Sequence, residues 1–112
     1  SLAYLNDKES IPEIRRALND EKWVVRMYAV SALAKLDDKD SILVIRKMLN
    51  DEPDNLRCSC IQALMLFKDK ESIPRIKELL KDNEKNVRDQ AEYALKQLGV
   101  SDEEIQKAKE GE

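Results

Sequence analysis

Cys58 and Cys60 are the two thiols of a 112-residue chain that contains no histidine, and they are the first place to look for covalent or metal chemistry. Their spacing argues against both. On a helix, residues two apart are turned about 200° from each other, so the sulfurs point to opposite faces and do not converge on one ion. No further cysteine stands elsewhere in the chain, so zinc and haem patterns are missing. The expectation is two reduced, structural thiols, with Cys60 in the core. Acidic residues number 23 against 20 Lys and Arg, yet they are scattered along polar faces rather than gathered around a nucleophile, and no Gly-rich phosphate loop is present. We expect no catalytic residue, no cofactor, no metal and no small-molecule substrate, and so no enzyme. Contact chemistry remains. Trp23, Val24, Met27 and Tyr28 form an apolar, partly aromatic cluster, and Tyr93 supplies a second anchor of the kind that buries large area at little entropic cost.

The elements that position these side chains follow from an internal period. The string Lys-x-Ser-Ile-x-x-Ile starts at Lys8, Lys39 and Lys70, a strict 31-residue interval. In that register Ile14/Ile45/Ile76, Leu18/Leu49/Leu80, Asp20/Asp51/Asp82, Arg26/Arg57/Arg88, Ala32/Ala63/Ala94 and Leu33/Leu64/Leu95 coincide. A unit of this length cannot bury its apolar side alone, so a stack is the folding unit. Two glycines, three prolines and 42% hydrophobic residues favour packed helices with a continuous core. The fold class is all-α: an α-solenoid of antiparallel helix pairs with a 31-residue repeat. One domain covers 1–112, divided into the end of a truncated repeat at 1–7, repeats at 8–38, 39–69 and 70–100, and a C-terminal capping helix at 101–110.

Within the first unit, Ile11, Ile14 and Leu18 follow the spacing of an amphipathic helix, helix A, whose other face carries Glu13, Arg15 and Arg16. Asp7, Asp38 and Asp69 stand just before the helices A as N-cap candidates, and Pro12 and Pro74 fall in first turns, where a missing amide costs least. Asn19-Asp20-Glu21 and its counterparts make a tight turn. Helix B then runs over about 23–36, with Val25, Ala29, Ala32, Leu33 and Leu36 on one stripe. Leu56, Cys60, Ala63, Leu64 and Phe67 repeat it, as do Val87, Ala91, Ala94, Leu95 and Leu98. Small residues let helix B approach its neighbours closely. Gly99 is a helix C-cap, and Ser101 with Glu104 opens a last short helix by a capping box, with Ile105 and Ala108 as its inner edge. Leu2, Ala3 and Leu5 align with Leu33, Ala34 and Leu36, so the chain is expected to begin inside the end of a helix B, without an N-terminal cap.

The order helix A, Leu-x-Asp, a short variable turn, Val-Arg-x-x-Ala and then Ala-Leu resembles the short HEAT-like repeats of the phycobilisome-lyase type over nearly the whole chain. Leu56 for Val and Cys60 for Ala depart from that pattern. The resemblance implies a ladder between successive repeats, here Asp20, Asp51 and Asp82 with Arg26, Arg57 and Arg88, all in structural roles. It also implies that the variable residues of helices B line an inner, concave wall. That wall would carry Trp23, Val24, Met27, Tyr28, Ser31 and Lys35 from the first unit, and Asn55, Ser59, Gln62 and Leu66, with Asp54 and Cys58, from the second. The third would add Asp89, Gln90 and Tyr93, with Lys85, Asn86 and Gln97. The apolar cluster of the first unit has a second explanation, as packing for a preceding repeat.

The function these features point to is a non-catalytic scaffold that binds a protein partner along the concave face. An accessory role in an enzyme complex such as a chromophore lyase follows from the repeat type by analogy alone. A net charge of −3 with interspersed signs gives no broad invitation to nucleic acid or anionic lipid, and the proposed wall sets only Lys35 and Lys85 against Asp54 and Asp89. No apolar run approaches the roughly 18 residues of a membrane span, and a cytoplasmic location is expected.

Overall fold

A computed structural model describes residues 8–111. The truncated-repeat end expected at 1–7 and the N-cap expected at Asp7 lie outside the described residues. Among the described residues every regular element is helical. The helices A are short: α1 is Ile11–Ala17, α3 is Ile42–Lys47 and α5 is Ile73–Glu78. Each follows a 3-10 turn, at Lys8–Ser10, Lys39–Ser41 and Lys70–Ser72, and α3 and α5 run on into further 3-10 turns at Met48–Asn50 and Leu79–Lys81. The helices B are longer: α2 is Trp23–Lys35, α4 is Asp54–Leu66 and α6 is Lys85–Gln97. A final helix, α7, spans Asp102–Lys109.

These helices make an α-solenoid of two layers. α2 packs on α4 and α4 on α6, while α1, α3 and α5 each lie against the helix B of their own unit. Consecutive helices A share no comparable contact. The stack is elongated, 43 × 25 × 20 Å. Its core runs through all three units: Ile14, Leu18, Ala29, Ala32, Leu33 and Leu36, then Ile45, Leu49, Leu56, Cys60, Ala63, Leu64 and Phe67, then Ile76, Leu80, Val87, Ala91, Ala94, Leu95 and Leu98 are buried. Val25, expected in the stripe, is only half-buried. Conversely, Val30 and Ile61 have no solvent exposure although they stand outside the expected stripe. A helix B that packs both on its own helix A and on the next helix B is covered on more than one side, so its apolar arc is wider than that of a surface helix. In the third unit the same position holds Glu92, whose carboxylate takes Lys109 of α7 at 2.5 Å and Lys96 at 3.4 Å. The hydrogen bond from Lys109, opposed by partial burial, keeps the Glu92 carboxyl below its usual range.

The three helices B end alike. The amides of Asp38, Asp69 and Val100 bond back to the carbonyls of Leu33, Leu64 and Leu95, and those of Asp37, Lys68 and Gly99 to Ala34, Met65 and Lys96. That pairing requires one left-handed residue after the helix. Gly99 fills it at φ +95, but Asp37 and Lys68 adopt φ +55 and +58 with side chains, a conformation that costs an L-residue about 1 kcal/mol.

The expected N-caps at Asp38 and Asp69 do not form, and neither side chain bonds the amides of the turn that follows. Their carboxylates turn instead back to the helix A of their own unit. Arg15 Nε and Nη2 fork onto Asp38 at 2.7 and 2.5 Å, and Arg46 Nε and Nη2 onto Asp69 at 2.7 and 2.6 Å. A bidentate guanidinium outcompetes a single backbone amide for a carboxylate held at this distance. Ser41 and Ser72 complete the corner by donating their hydroxyls to the Asp38 and Asp69 carbonyls at 2.7 Å. The hydrogen bond that Arg46 donates to Asp69 raises its pKa against the lowering effect of burial, and the one that Arg15 donates to Asp38 does the same for Arg15.

Candidate functional site

The faces that α2, α4 and α6 turn away from the helices A are built from residues in register. Val24, Asn55 and Asn86 make the first row, Tyr28, Ser59 and Gln90 the second, Ser31, Gln62 and Tyr93 the third, and Lys35, Leu66 and Gln97 the last. Helical spacing brings these positions to one side of each helix, and each of them is exposed or half-buried. Three large side chains stand out into solvent: Tyr28 and Tyr93 are 53% exposed and Leu66 is 55% exposed. They lie on three different helices, so the apolar points cross the face instead of forming a seam along one helix. Between α2 and α4 a shallow depression is lined by Ser31, Lys35, Ser59, Gln62 and Leu66, with the buried Ala34 and Ala63 as its floor. Small floor residues bring the two helices close and leave the longer side chains as rims.

Other residues assigned to this wall divide. Trp23 is half-buried, and Met27 and Cys58 pack against the core. Asp54 accepts a 2.7 Å hydrogen bond from Asn86 Nδ2, a polar link between neighbouring helices B. Asp89 is held by Lys85 on its own helix at 2.7 Å. That hydrogen bond draws the Asp89 carboxyl below its usual range against the opposing effect of burial. The structure adds two apolar residues on the opposite layer: Leu43 and Val44 of α3 are exposed. In the other two units a proline stands at the place of Leu43, and Glu13 and Arg75 stand at that of Val44.

The Asp and Arg positions of the ladder do not behave alike. In every unit the arginine donates from Nη1 to the backbone carbonyl of its own unit's aspartate, Arg26 to Asp20 at 2.7 Å, Arg57 to Asp51 at 3.1 Å and Arg88 to Asp82 at 2.7 Å. Arg57 alone reaches the next unit. Its Nη2 donates to Asp82 Oδ2 at 3.1 Å, and its Nε lies 3.0 Å from Asp82 Oδ1, a charge contact whose angle falls short of a hydrogen bond. Among the described residues Arg26 has no carboxylate partner, and its buried Nε is unsatisfied. The aspartates also shape the turns: Asp20 and Asp82 accept the amides of Lys22 and Glu84 at 2.8 and 2.9 Å. Burial works against the charge of Arg57, but Asp82 and Glu52 more than compensate and its pKa is raised.

The thiols sit apart, as their spacing requires. Cys60 is fully buried, and burial, with the Asp51 charge, pushes its pKa up to about 12. Cys58 is half-buried and is shifted upward chiefly by burial. Neither is a thiolate near neutral pH, so neither is poised as a nucleophile. Among the described residues no cluster of three or more Cys, Asp or Glu could hold a metal ion.

The helix pairs, the close B-on-B packing and the corners between units are what a HEAT array is made of, and a family model described as HEAT repeats matches residues 1–65 and 42–111. The chain belongs to the HEAT-repeat family. No curated protein matches this HEAT-repeat chain in sequence. Among its described residues no helix is long and apolar enough to cross a membrane. The last described helix is α7. Ser101 Oγ accepts the Glu104 amide at 3.1 Å, while the Glu104 carboxylate leaves the expected reciprocal bond and takes Lys77 at 3.0 Å. The box is therefore half formed, and Ile105 is buried beneath it.

Proposed function

We propose that this HEAT-repeat protein is a non-catalytic scaffold that binds a protein partner along the outward face of α2, α4 and α6. The observation that carries the reading is the set of three large, exposed side chains, Tyr28, Leu66 and Tyr93, on three adjacent helices of one layer. Isolated exposed apolar residues are ordinary on a soluble surface. Their alignment over a floor of small residues is less so, and aromatic anchors around a shallow groove are how interfaces concentrate affinity. Close packing of the helices B, against the looser spacing of the helices A, supports this layer as the inner, concave one. The Leu-x-Asp turn and the arginine of helix B favour the short, phycobilisome-lyase kind of unit within the HEAT family. Two free, protonated thiols suit the cytoplasm, where we place the protein.

The test is affinity capture from the source cell with the wild type and a Tyr28→Ala/Leu66→Ala/Tyr93→Ala variant, alongside a thermal melt. These side chains are exposed, so each truncation is expected to change stability by no more than about 0.5 kcal/mol. One protein should be lost from the captured set. An unchanged set with the variant folded refutes the assignment of this face.

A further inference from the structure

The end of the helix-B face where α2 and α4 terminate differs from the rest. Leu66 lies at the meeting point of three depressions: the one between α2 and α4, a second lined also by Lys35, Lys39 and Lys68, and a third lined also by Lys68, Lys70 and Tyr93. The four lysines are exposed. Every ion pair of the described residues leaves them out. One acid, Asp37, stands on the same rim. The aspartates that follow the two helices, Asp38 and Asp69, are paired with Arg15 and Arg46, which also meet the exposed Asp40 and Glu71 outside the three depressions. In a chain of net charge −3 this end is thus a local positive field around an uncovered leucine. Helix C-terminal carbonyls account for lysine within the last turn, as at Lys35, but Lys39 and Lys70 belong to the 3-10 turns that open the next units.

We infer that this end of the face takes an acidic peptide segment, with one bulky apolar side chain set against Leu66 and carboxylates on either side meeting Lys35, Lys39, Lys68 and Lys70. The inference rests on reading the helix-B face as protein-binding, and it adds the partner's chemistry. Charge complementarity selects the occupant. A basic or neutral segment would leave the lysines facing like charge or nothing, whereas a polyanion without an apolar group would leave Leu66 in water. Complementary charge around an apolar anchor sets encounter rate and register, while the anchor supplies most of the hold.

A random-peptide display library selected on the full chain tests this, with the enriched peptides measured by fluorescence anisotropy at low and high salt and a duplex oligonucleotide as a second probe. Enriched peptides should be acidic around a Leu, Phe, Trp or Met. Leu66→Ala should weaken them about tenfold or more. Lys35→Glu/Lys68→Glu should weaken them at least as much at low salt and flatten the salt dependence. Thermal melts of both variants establish that they are folded. Neutral or basic consensus peptides, indifference to Leu66→Ala, or tight binding of the duplex with no enriched peptide would each overturn the inference. Enriched peptides that depend on Tyr28 but not on Leu66 or the lysines would overturn it while sparing the broader protein-binding reading. Peptides insensitive to all of these positions would remove both.

Discussion

Replacing Arg57 by methionine keeps the aliphatic stem and removes the charge, and the repeat supplies its own control in Arg26→Met. Both arginines donate Nη1 to the carbonyl six residues earlier, so both variants lose a charged hydrogen bond to backbone. Arg26 donates also to Glu21 O at 3.1 Å. At about 1.5 kcal/mol for a charged hydrogen bond, discounted for exposure, Arg26→Met should cost about 1.5 kcal/mol. Arg57 is 4% exposed, and removing it also strips Asp82, whose side chain is 8% exposed, of its countercharge. Breaking a buried pair from one side costs about 3–5 kcal/mol. Asp82 retains the Glu84 amide at 2.9 Å, and Glu52, 87% exposed, adds little, so the low end applies, about 3 kcal/mol. For a chain of this size each kcal/mol moves the midpoint by about 4 °C. Thermal and urea unfolding followed by circular dichroism should therefore show drops of about 12 °C for Arg57→Met and about 6 °C for Arg26→Met. Adding Asp82→Asn to each background should reveal a coupling of about 1–2 kcal/mol with Arg57 and none with Arg26. Equal losses at the two arginines, or a coupling near zero at Asp82, would refute the claim that this contact between units contributes to stability.

The left-handed residue after each helix B gives a paired prediction with opposite signs. Lys68→Gly should stabilise by about 0.5–1 kcal/mol by relieving φ +58, whereas Gly99→Ala should destabilise by about 1–2 kcal/mol; a Cβ at Gly99 meets nothing within 4 Å, so the loss is conformational, and matching signs in urea melts would contradict it. Cys60 predicts a pH effect. Its folded pKa, about 12, lies above the ordinary thiol value of 9.0, so the native state holds the proton longer than the unfolded chain does; stability is intact below about pH 9 and falls by up to ~1.4 kcal/mol per unit as pH rises from about 9 to about 12. The difference in unfolding free energy between wild type and Cys60→Ala, which isolates this from lysine and tyrosine ionisation, should shrink or reverse over that range, and a flat difference would show that the thiol is not held neutral by burial.

The layout of helices A and B was readable because periodic apolar positions and turn residues are local signals. Helix B shows at Ala29, Ala32 and Leu33, and the αL position at Gly99. What escaped was set by contacts between residues distant in sequence. Asp38 and Asp69 look like N-caps in their own segments, and only the fold brings Arg15 and Arg46 against them. The register held a clue: positions 15, 46 and 77 read Arg, Arg, Lys while 38, 69 and 100 read Asp, Asp, Val, so the strict guanidinium and its aspartate disappear together. The buried Val30 and Ile61 escaped for a related reason, since a single amphipathic stripe describes a helix with one covered side, whereas α2 and α4 each pack on their own helix A and on the next helix B. On the outward face, residue type identified Tyr28, Leu66 and Tyr93, but Met27 belongs to the core because its row turns inward, a distinction of tens of degrees that spacing alone does not resolve.

Three in-register substitutions in the third unit show how the stack adapts to being followed by α7 instead of another helix A. Where Val30 and Ile61 are buried, Glu92 meets Lys109; where Arg15 and Arg46 reach a buried aspartate, Lys77 meets Glu104; where Asp38 and Asp69 accept those arginines, Val100 packs against the core. A buried apolar position and a bidentate ion pair have given way to pairs with partly exposed partners, each worth at most about 1 kcal/mol, and α7 has one fully inward residue, Ile105. Stability in a one-dimensional stack is a sum over neighbouring interfaces, so the interface of α7 with the third unit is weaker than those between repeats. We therefore expect α7 to open at lower free energy than the helices B that present Tyr28, Leu66 and Tyr93.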